Sequence, residues 1–145
     1  MSIKQATWIH GGNVVLESSS WRARRQGPCA TVTPYESNKG WCHVVIPTPV
    51  IVDGDRLRAS SALVRLQTGP GAKLIGFHVY DGEKIVAEYD DLDVTAPSPD
   101  TFRYDVTNHP EVLYGTIICV LVQFTSENAT DDWVRVIGAG IDFHN

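Results

Sequence analysis

The chain has 145 residues, of which 43% are hydrophobic and 20% are charged, a composition typical of a globular domain. Its formal net charge of −5 repels phosphate backbones, so general nucleic-acid binding is not expected. The longest apolar stretch, residues 112–124, is well short of the ~18 residues that a membrane-spanning helix requires. We therefore predict a single domain over residues 1–145, with neither a nucleic acid nor a membrane as partner.

Cysteine content and the N-terminal residues bear on the cellular compartment. The first residues lack the basic start and the ~7–15 apolar residues of a secretory signal. Cys29, Cys42 and Cys119 are odd in number and lack the close pairing of disulfide frameworks and zinc sites. Cys42 and Cys119 lie in apolar segments, where burial raises a thiol pKa instead of activating a nucleophile. These features predict a cytoplasmic protein without disulfides.

Runs of β-branched and aromatic residues recur between Gly, Pro, Asn and Asp, and no segment has the periodicity of a long helix. Many short strands without intervening helices are typical of an all-β fold. We predict a two-sheet antiparallel sandwich, jelly-roll-like, with strands at residues 4–10, 13–19, 41–46, 57–68, 73–80, 84–90, 101–106, 113–125 and 133–143.

Turn and loop residues punctuate these strands. Asp81-Gly82 predicts a tight hairpin, because this dipeptide readily adopts positive φ angles. The prolines within residues 46–50 lack ladder donors, so this segment is expected to cross between sheets or to form an edge. Residues 96–100 are expected to be an exposed connecting loop, and the arginines at 22, 24 and 25 a solvated polar loop.

An aromatic residue and a histidine stand two positions apart in three predicted strands. Strand side chains alternate between faces, so each pair projects to one side of its strand. Aromatic rings stack on sugars and imidazoles form hydrogen bonds, which predicts a face binding a saccharide or another small molecule. An aromatic oligomer interface, or ordinary half-buried strand residues, are the alternatives. The predicted ligand-binding residues are Trp8, His10, Trp41, His43, His78 and Tyr80.

Sequence signals for catalysis or a cofactor are weak. Convergence of His10, His43 and His78 would make a metal-dependent jelly-roll enzyme, which is the alternative from another functional class. The acidic stretches 53–55 and 90–93 lack a calcium-loop pattern and are interpreted as turns. No serine lies in a nucleophile-elbow context. We therefore expect a non-catalytic binding or assembly module without a cofactor or a bound metal.

Residues 113–124 are apolar at nearly every position, so both faces of the predicted strand are hydrophobic. An outer sheet face normally meets water and is polar. Covering such a face with a second copy would hide the apolar surface. This pattern predicts a homo-oligomer, and a purely structural subunit is a further alternative.

Three strings of residues resemble a family of small, mostly bacterial proteins of unknown function that spans the whole chain. The strings are Trp8-Ile9-His10-Gly11, Ile46-Pro47-Thr48-Pro49-Val50-Ile51 and His78-Val79-Tyr80-Asp81-Gly82. The resemblance implies a compact β domain. It implies no activity, ligand or catalytic residue.

Overall fold

A computed structural model describes residues 2–35 and 38–145 of the chain. Within these ranges the regular elements are strands, apart from one 3-10 turn at Gly11–Asn13. The strands are β1 (Gln5–His10), β2 (Val15–Leu16), β3 (Arg22–Arg25), β4 (Ala30–Thr33), β5 (Lys39–Ile46), β6 (Ile51–Val52), β7 (Asp55–Arg56), β8 (Arg58–Thr68), β9 (Ala72–Asp81), β10 (Lys84–Tyr89), β11 (Asp100–Asp105), β12 (Thr116–Phe124) and β13 (Val134–His144).

The strands form two main antiparallel sheets. One is six-stranded, in the order β11-β8-β13-β4-β3, with β1 pairing a second stretch of β13. The other is five-stranded, in the order β10-β9-β12-β5-β2. A short β6–β7 hairpin lies on the connection from one sheet to the other. The predicted all-β, jelly-roll-like antiparallel sandwich is confirmed. No helix in the described ranges is long and apolar enough to cross a membrane.

The core lies between the two sheets and takes alternate residues from each strand. On β12 the core residues are Ile118, Val120 and Val122, while the residues between them point to the outside of the sandwich. The fully buried Phe77 of β9 stacks on Tyr104 of β11, with ring centroids 4.3 Å apart. Strand alternation therefore separates an inner apolar face from an outer face in each sheet.

The predicted turns correspond to real connections. At the hairpin between β9 and β10, Lys84 pairs with Asp81, and Gly82 has a φ of +59°. The segment after β5 crosses from the five-stranded sheet to β8 in the six-stranded sheet, as the prolines indicated. The segment after β10 likewise connects the two sheets. In the predicted loop 96–100, residues 97–100 are exposed, but Ala96 is buried in the core and its N–H donates to Thr68 Oγ1.

Sequence reasoning missed four short strands. The arginine segment predicted as a loop is β3, an edge strand paired with β4. Charged side chains on an edge strand keep its open side from pairing with other chains. Arg25 also donates to the carbonyl oxygens of Gly12 (2.8 Å) and Val14 (2.6 Å). In the β6–β7 hairpin, Asp53 and Gly54 occupy the turn with φ of 52° and 83°, so this acidic stretch is a turn as predicted.

Candidate ligand-binding face

The outer face of the five-stranded sheet brings together side chains from four neighbouring strands. Residues His43, Cys119, His78 and Glu88 are directly paired across β5, β12, β9 and β10. Side chains in one cross-strand row stand side by side on the same face. We call this surface, with Trp41 and Tyr80 on the neighbouring rows, the aromatic–histidine face.

Trp41 lies over the middle of the aromatic–histidine face. Its ring centroid is 4.6 Å from that of His78, with the planes tilted by 44°. Gly76 leaves room for this position, since a Cβ there would lie 3.5 Å from the Trp41 ring and 3.1 Å from the Cβ of Leu121. A glycine within a strand marks a point where another group approaches the backbone. The indole thus bridges three strands while keeping part of its surface open to solvent.

Each histidine of this face has a carboxylate partner. His43 Nε2 donates to Glu17 at 2.8 Å, and His78 Nε2 donates to Asp90 at 2.8 Å. The other ring nitrogen of His43, Nδ1, is buried and has no hydrogen-bond partner among the described residues. Carboxylates that hold Nε2–H fix the orientation of both rings. The face therefore carries preorganised hydrogen-bonding groups beside an aromatic ring.

His78 also belongs to a set of three convergent ligand atoms. One atom each from His78, Glu88 and Asp90 lies within 4.8 Å of the others, and this is the one such set in the described ranges. Glu88 forms no hydrogen bond or ion pair there, and both carboxylates are exposed. One imidazole and two carboxylates are donors that suit a divalent transition metal, and the same groups also accept hydrogen bonds from hydroxyls.

The cysteines do not provide a nucleophile. All three are free and buried. Burial raises the pKa of Cys42 to about 12. Burial, with a smaller contribution from the negative charge of Glu17, raises the pKa of Cys119 to about 11. Both groups are thiols at neutral pH, as the sequence predicted, and Cys119 acts as a small apolar side chain at the centre of the aromatic–histidine face.

Two of the six predicted binding residues lie elsewhere. Trp8 and His10 are on β1, which pairs with β13 in the six-stranded sheet. Trp8 covers Gly140, where a Cβ would lie 2.7 Å from the indole ring, and His10 Nδ1 accepts from the N–H of Gly12 at 2.9 Å. The alternative metal set of His10, His43 and His78 is therefore divided between the two sheets, because His10 does not share a face with His43 and His78. The structure brings together Trp41, His43, His78 and Tyr80.

The carboxylates of Glu17, Glu88 and Asp90 were not predicted as part of the face. Glu88 faces His78 because the β9–β10 pairing shifts by one residue between Ile85 and Ala87. A regular hairpin register would pair His78 with Ala87 and point Glu88 into the core. The charge of Glu88 was the one sequence signal that it points outward, because an unpaired glutamate is not buried in a core.

Sequence comparison places the chain in a family. A family model matches residues 2–145. The chain belongs to the family of unknown function DUF6623. This confirms the resemblance to an uncharacterised family spanning the chain. No curated protein sequence matches the chain.

Several solved structures share the fold at low sequence identity. A low-affinity xylan-binding module from Roseburia intestinalis has a TM-score of 0.57 and 10% identity, covering 97% of this chain and 96% of that chain. A family 35 carbohydrate-binding module from Clostridium thermocellum has a TM-score of 0.54 and 10% identity, covering 94% and 97%. A variant of a family 29 carbohydrate-binding module complexed with cellulohexaose has a TM-score of 0.53 and 11% identity, covering 96% and 92%. At these identities the likeness is one of fold.

Proposed function

We propose that this protein is a non-catalytic module that binds a saccharide on the aromatic–histidine face. The observation that carries the proposal is the meeting of Trp41, His43, His78 and Tyr80, which come from two distant segments of the chain, on one outer sheet face. Proteins of similar fold that are described as carbohydrate-binding modules support the saccharide class.

The chemistry of the face matches the two requirements of sugar recognition. The open side of the Trp41 ring offers an apolar surface to the C–H groups of a sugar ring. Glu88 and Asp90 offer carboxylate oxygens to sugar hydroxyls, and charged acceptors form the stronger hydrogen bonds. Glu88 has no protein partner to give up in the described part of the chain, so a hydroxyl meets no competitor there.

The layout of the face favours an extended ligand. The aromatic ring on β5, the imidazole on β9 and the carboxylates of β10 and the residue after it follow one another across the sheet. All of these groups lie on the outer face of neighbouring strands. A chain of sugar units lying across the strands would contact all three groups, whereas one ring would contact only some of them.

The same geometry argues against hydrolysis. Glu88 and Asp90 extend on the same side of one strand and its continuation. Glycoside hydrolysis uses two carboxyl groups that flank the bond from opposite sides. We therefore propose binding without turnover.

Replacing Trp41 with alanine is expected to weaken saccharide binding by about 2 kcal/mol, or roughly thirtyfold, because the stacking ring is lost. Binding is measured by affinity electrophoresis in xylan, a soluble cellulose derivative, mannan and mixed-linkage glucan, followed by calorimetry with the polysaccharide that retards the protein. The matched control is Trp8→Ala, which removes an indole that is 45% exposed on the other sheet. The proposal is wrong if Trp8→Ala weakens binding and Trp41→Ala does not.

A second candidate function is self-association through the same face, as predicted from residues 113–124. Val15 and Val45 point outward on this sheet and are more than half exposed. Cys119, however, is only 4% exposed, because the flanking side chains already cover the centre of β12. The area left for a second copy is therefore smaller than the sequence implied.

Light scattering at micromolar concentration separates the two uses of the face. If the face binds a saccharide, we expect light scattering to show a monomer. A dimer that Leu121→Glu dissociates would assign the face to a second copy, since the register places Leu121 outward and Val120 in the core. Ile51→Glu is the control, because Ile51 is an equally apolar, exposed residue away from this sheet.

A further inference from the structure

A separate cavity of about 470 Å³ opens at one end of the sandwich. It is lined by residues that follow β4, precede β5 and follow β12, among them Tyr35, Asn38, Asn128 and Asp132. Its volume is in the range of small-molecule sites, which is roughly 300–1,000 Å³. None of the residues of the aromatic–histidine face lines it.

One wall of the cavity packs against the hydrophobic core, and another is a loop fixed by internal hydrogen bonds. Phe124, which lines the cavity, is buried and packs edge-on against Trp21 with centroids 5.0 Å apart. In the loop after β12, the N–H of Asp131 donates to the side-chain oxygen of Asn128 at 2.9 Å. The N–H of Asp132 donates to the backbone carbonyl of Asn128 at 3.0 Å. The cavity is therefore preformed on this side.

A buried carboxylate with an unused oxygen lines this cavity. Asp132 is 3% exposed, and its Oδ1 accepts from the N–H of Ser126 at 3.0 Å. Its Oδ2 has no donor within the described ranges. Among the described residues only His43 Nδ1 is fully buried without a partner, so Asp132 Oδ2 keeps contact with solvent and is open to a ligand hydroxyl that donates a hydrogen bond.

Further polar and aromatic side chains surround the cavity. Tyr35 is 70% exposed, and the Arg22 guanidinium lies 5.7 Å from the centroid of its ring. Neither Arg22 nor Glu127 forms an ion pair in the part of the chain that the structure describes. Glu127 has a φ of +56°, a left-handed conformation that a residue with a side chain rarely adopts. Donors, acceptors and an aromatic ring thus converge on one space.

We propose that this end cavity is a second binding site, which takes a single polyhydroxylated ring such as one sugar unit. Sugar hydroxyls would donate to Asp132 Oδ2 and Glu127 and accept from Arg22. The ring of Tyr35 would contact the apolar side of the ligand. The presence of acidic and basic groups together favours a neutral polyol over an ion. This proposal concerns a different surface from the aromatic–histidine face and does not depend on it.

The test is saturation-transfer-difference NMR with the methyl glycosides of glucose, galactose, mannose, xylose and N-acetylglucosamine. We expect transfer to at least one glycoside, and a roughly tenfold or greater loss of affinity in Asp132→Asn and in Tyr35→Ala. Asp132→Asn keeps an oxygen for the N–H of Ser126, and Tyr35 is too exposed for its removal to unfold the protein. Tyr114→Ala, at an equally exposed tyrosine outside the cavity, is the matched control and should bind as the unaltered protein does.

The outcomes separate this site from the first one. Transfer retained in Trp41→Ala and lost in Tyr35→Ala supports the end cavity, whether or not polysaccharides bind to the sheet. No transfer to any glycoside, equal transfer in Tyr35→Ala and Asp132→Asn, or loss in Trp41→Ala alone would each overturn the proposal.

Discussion

Replacing Asp81 with alanine is expected to lower the free energy of unfolding by about 3 kcal/mol, because three backbone N–H groups lose their acceptor. The carboxylate of Asp81 is 6% exposed and accepts from the N–H groups of Leu113 (2.8 Å), Tyr114 (2.9 Å) and Gly115 (3.0 Å). It ties the segment before β12 to the β9–β10 hairpin. Urea denaturation measures the change.

The control for this prediction is Asp93→Ala. Among the described residues Asp93 pairs only with Lys73, at 3.5 Å, and its side chain is largely in solvent. Exposed ion pairs contribute little, so a change of less than about 0.5 kcal/mol is expected. Equal effects of the two substitutions would show that the three backbone bonds do not stabilise the fold.

The same carboxylate gives the stability a pH dependence with a defined sign. Burial alone would raise the pKa of Asp81, but the three backbone N–H groups and the charge of Lys84 lower it below its ordinary value. The unfolded chain therefore binds this proton more readily than the folded one. The contribution is complete above the unfolded pKa of about 4 and is lost as the pH falls through the folded pKa. Asp81→Asn should flatten the fall in stability on that acidic side.

Gly11→Ala is the other substitution with a large expected effect, a loss of about 3 kcal/mol or failure to fold. Gly11 is buried directly after β1, and a Cβ there would overlap the carbonyl of Val136 on β13. That neighbour is backbone within a sheet, so it cannot rotate away. The chain leaves the six-stranded sheet at this point, and the close approach explains the glycine in the Trp8-Ile9-His10-Gly11 string.

Gly27→Ala is the matched control, because a Cβ at Gly27 meets no described residue within 4 Å. Its stability should be unchanged or slightly increased, since alanine restricts the unfolded chain. Thermal unfolding of the two variants side by side measures the difference. A stable Gly11→Ala variant would mean that β13 does not pack against this turn.

Strand alternation was enough to predict much of the aromatic–histidine face. Apolar residues alternate with Trp41 and His43 on one strand and with His78 and Tyr80 on another, and the structure places both pairs outward in one sheet. Alternation gives the face of a side chain but not the sheet to which its strand belongs. For that reason the sequence grouped Trp8 and His10, which have the same local pattern, with the others, although their strand pairs with β13 in the other sheet.

Features that depend on register or on distant segments were not predictable. The one-residue shift near Val86 turns Glu88 toward His78, and nothing local in the sequence specifies where such a shift occurs. The two-residue strands β6 and β7 are too short to show a period. The end cavity combines loops that are about 90 residues apart in sequence, so its side chains meet only in the folded chain.

The most direct measurement of the central claim is an NMR titration that observes the four tryptophan indole N–H signals. Trp41 lies on the aromatic–histidine face, Trp8 on the opposite sheet, and Trp21 packs against the wall of the end cavity. The ligand is an oligosaccharide fragment of whichever polysaccharide retards the protein in affinity electrophoresis. On its addition the Trp41 signal should shift in a saturable manner, while the Trp8 signal stays in place. Saturable shifts of Trp8 with an unchanged Trp41, or no shift of Trp41 with any saccharide in the panel, would contradict a saccharide site on this face.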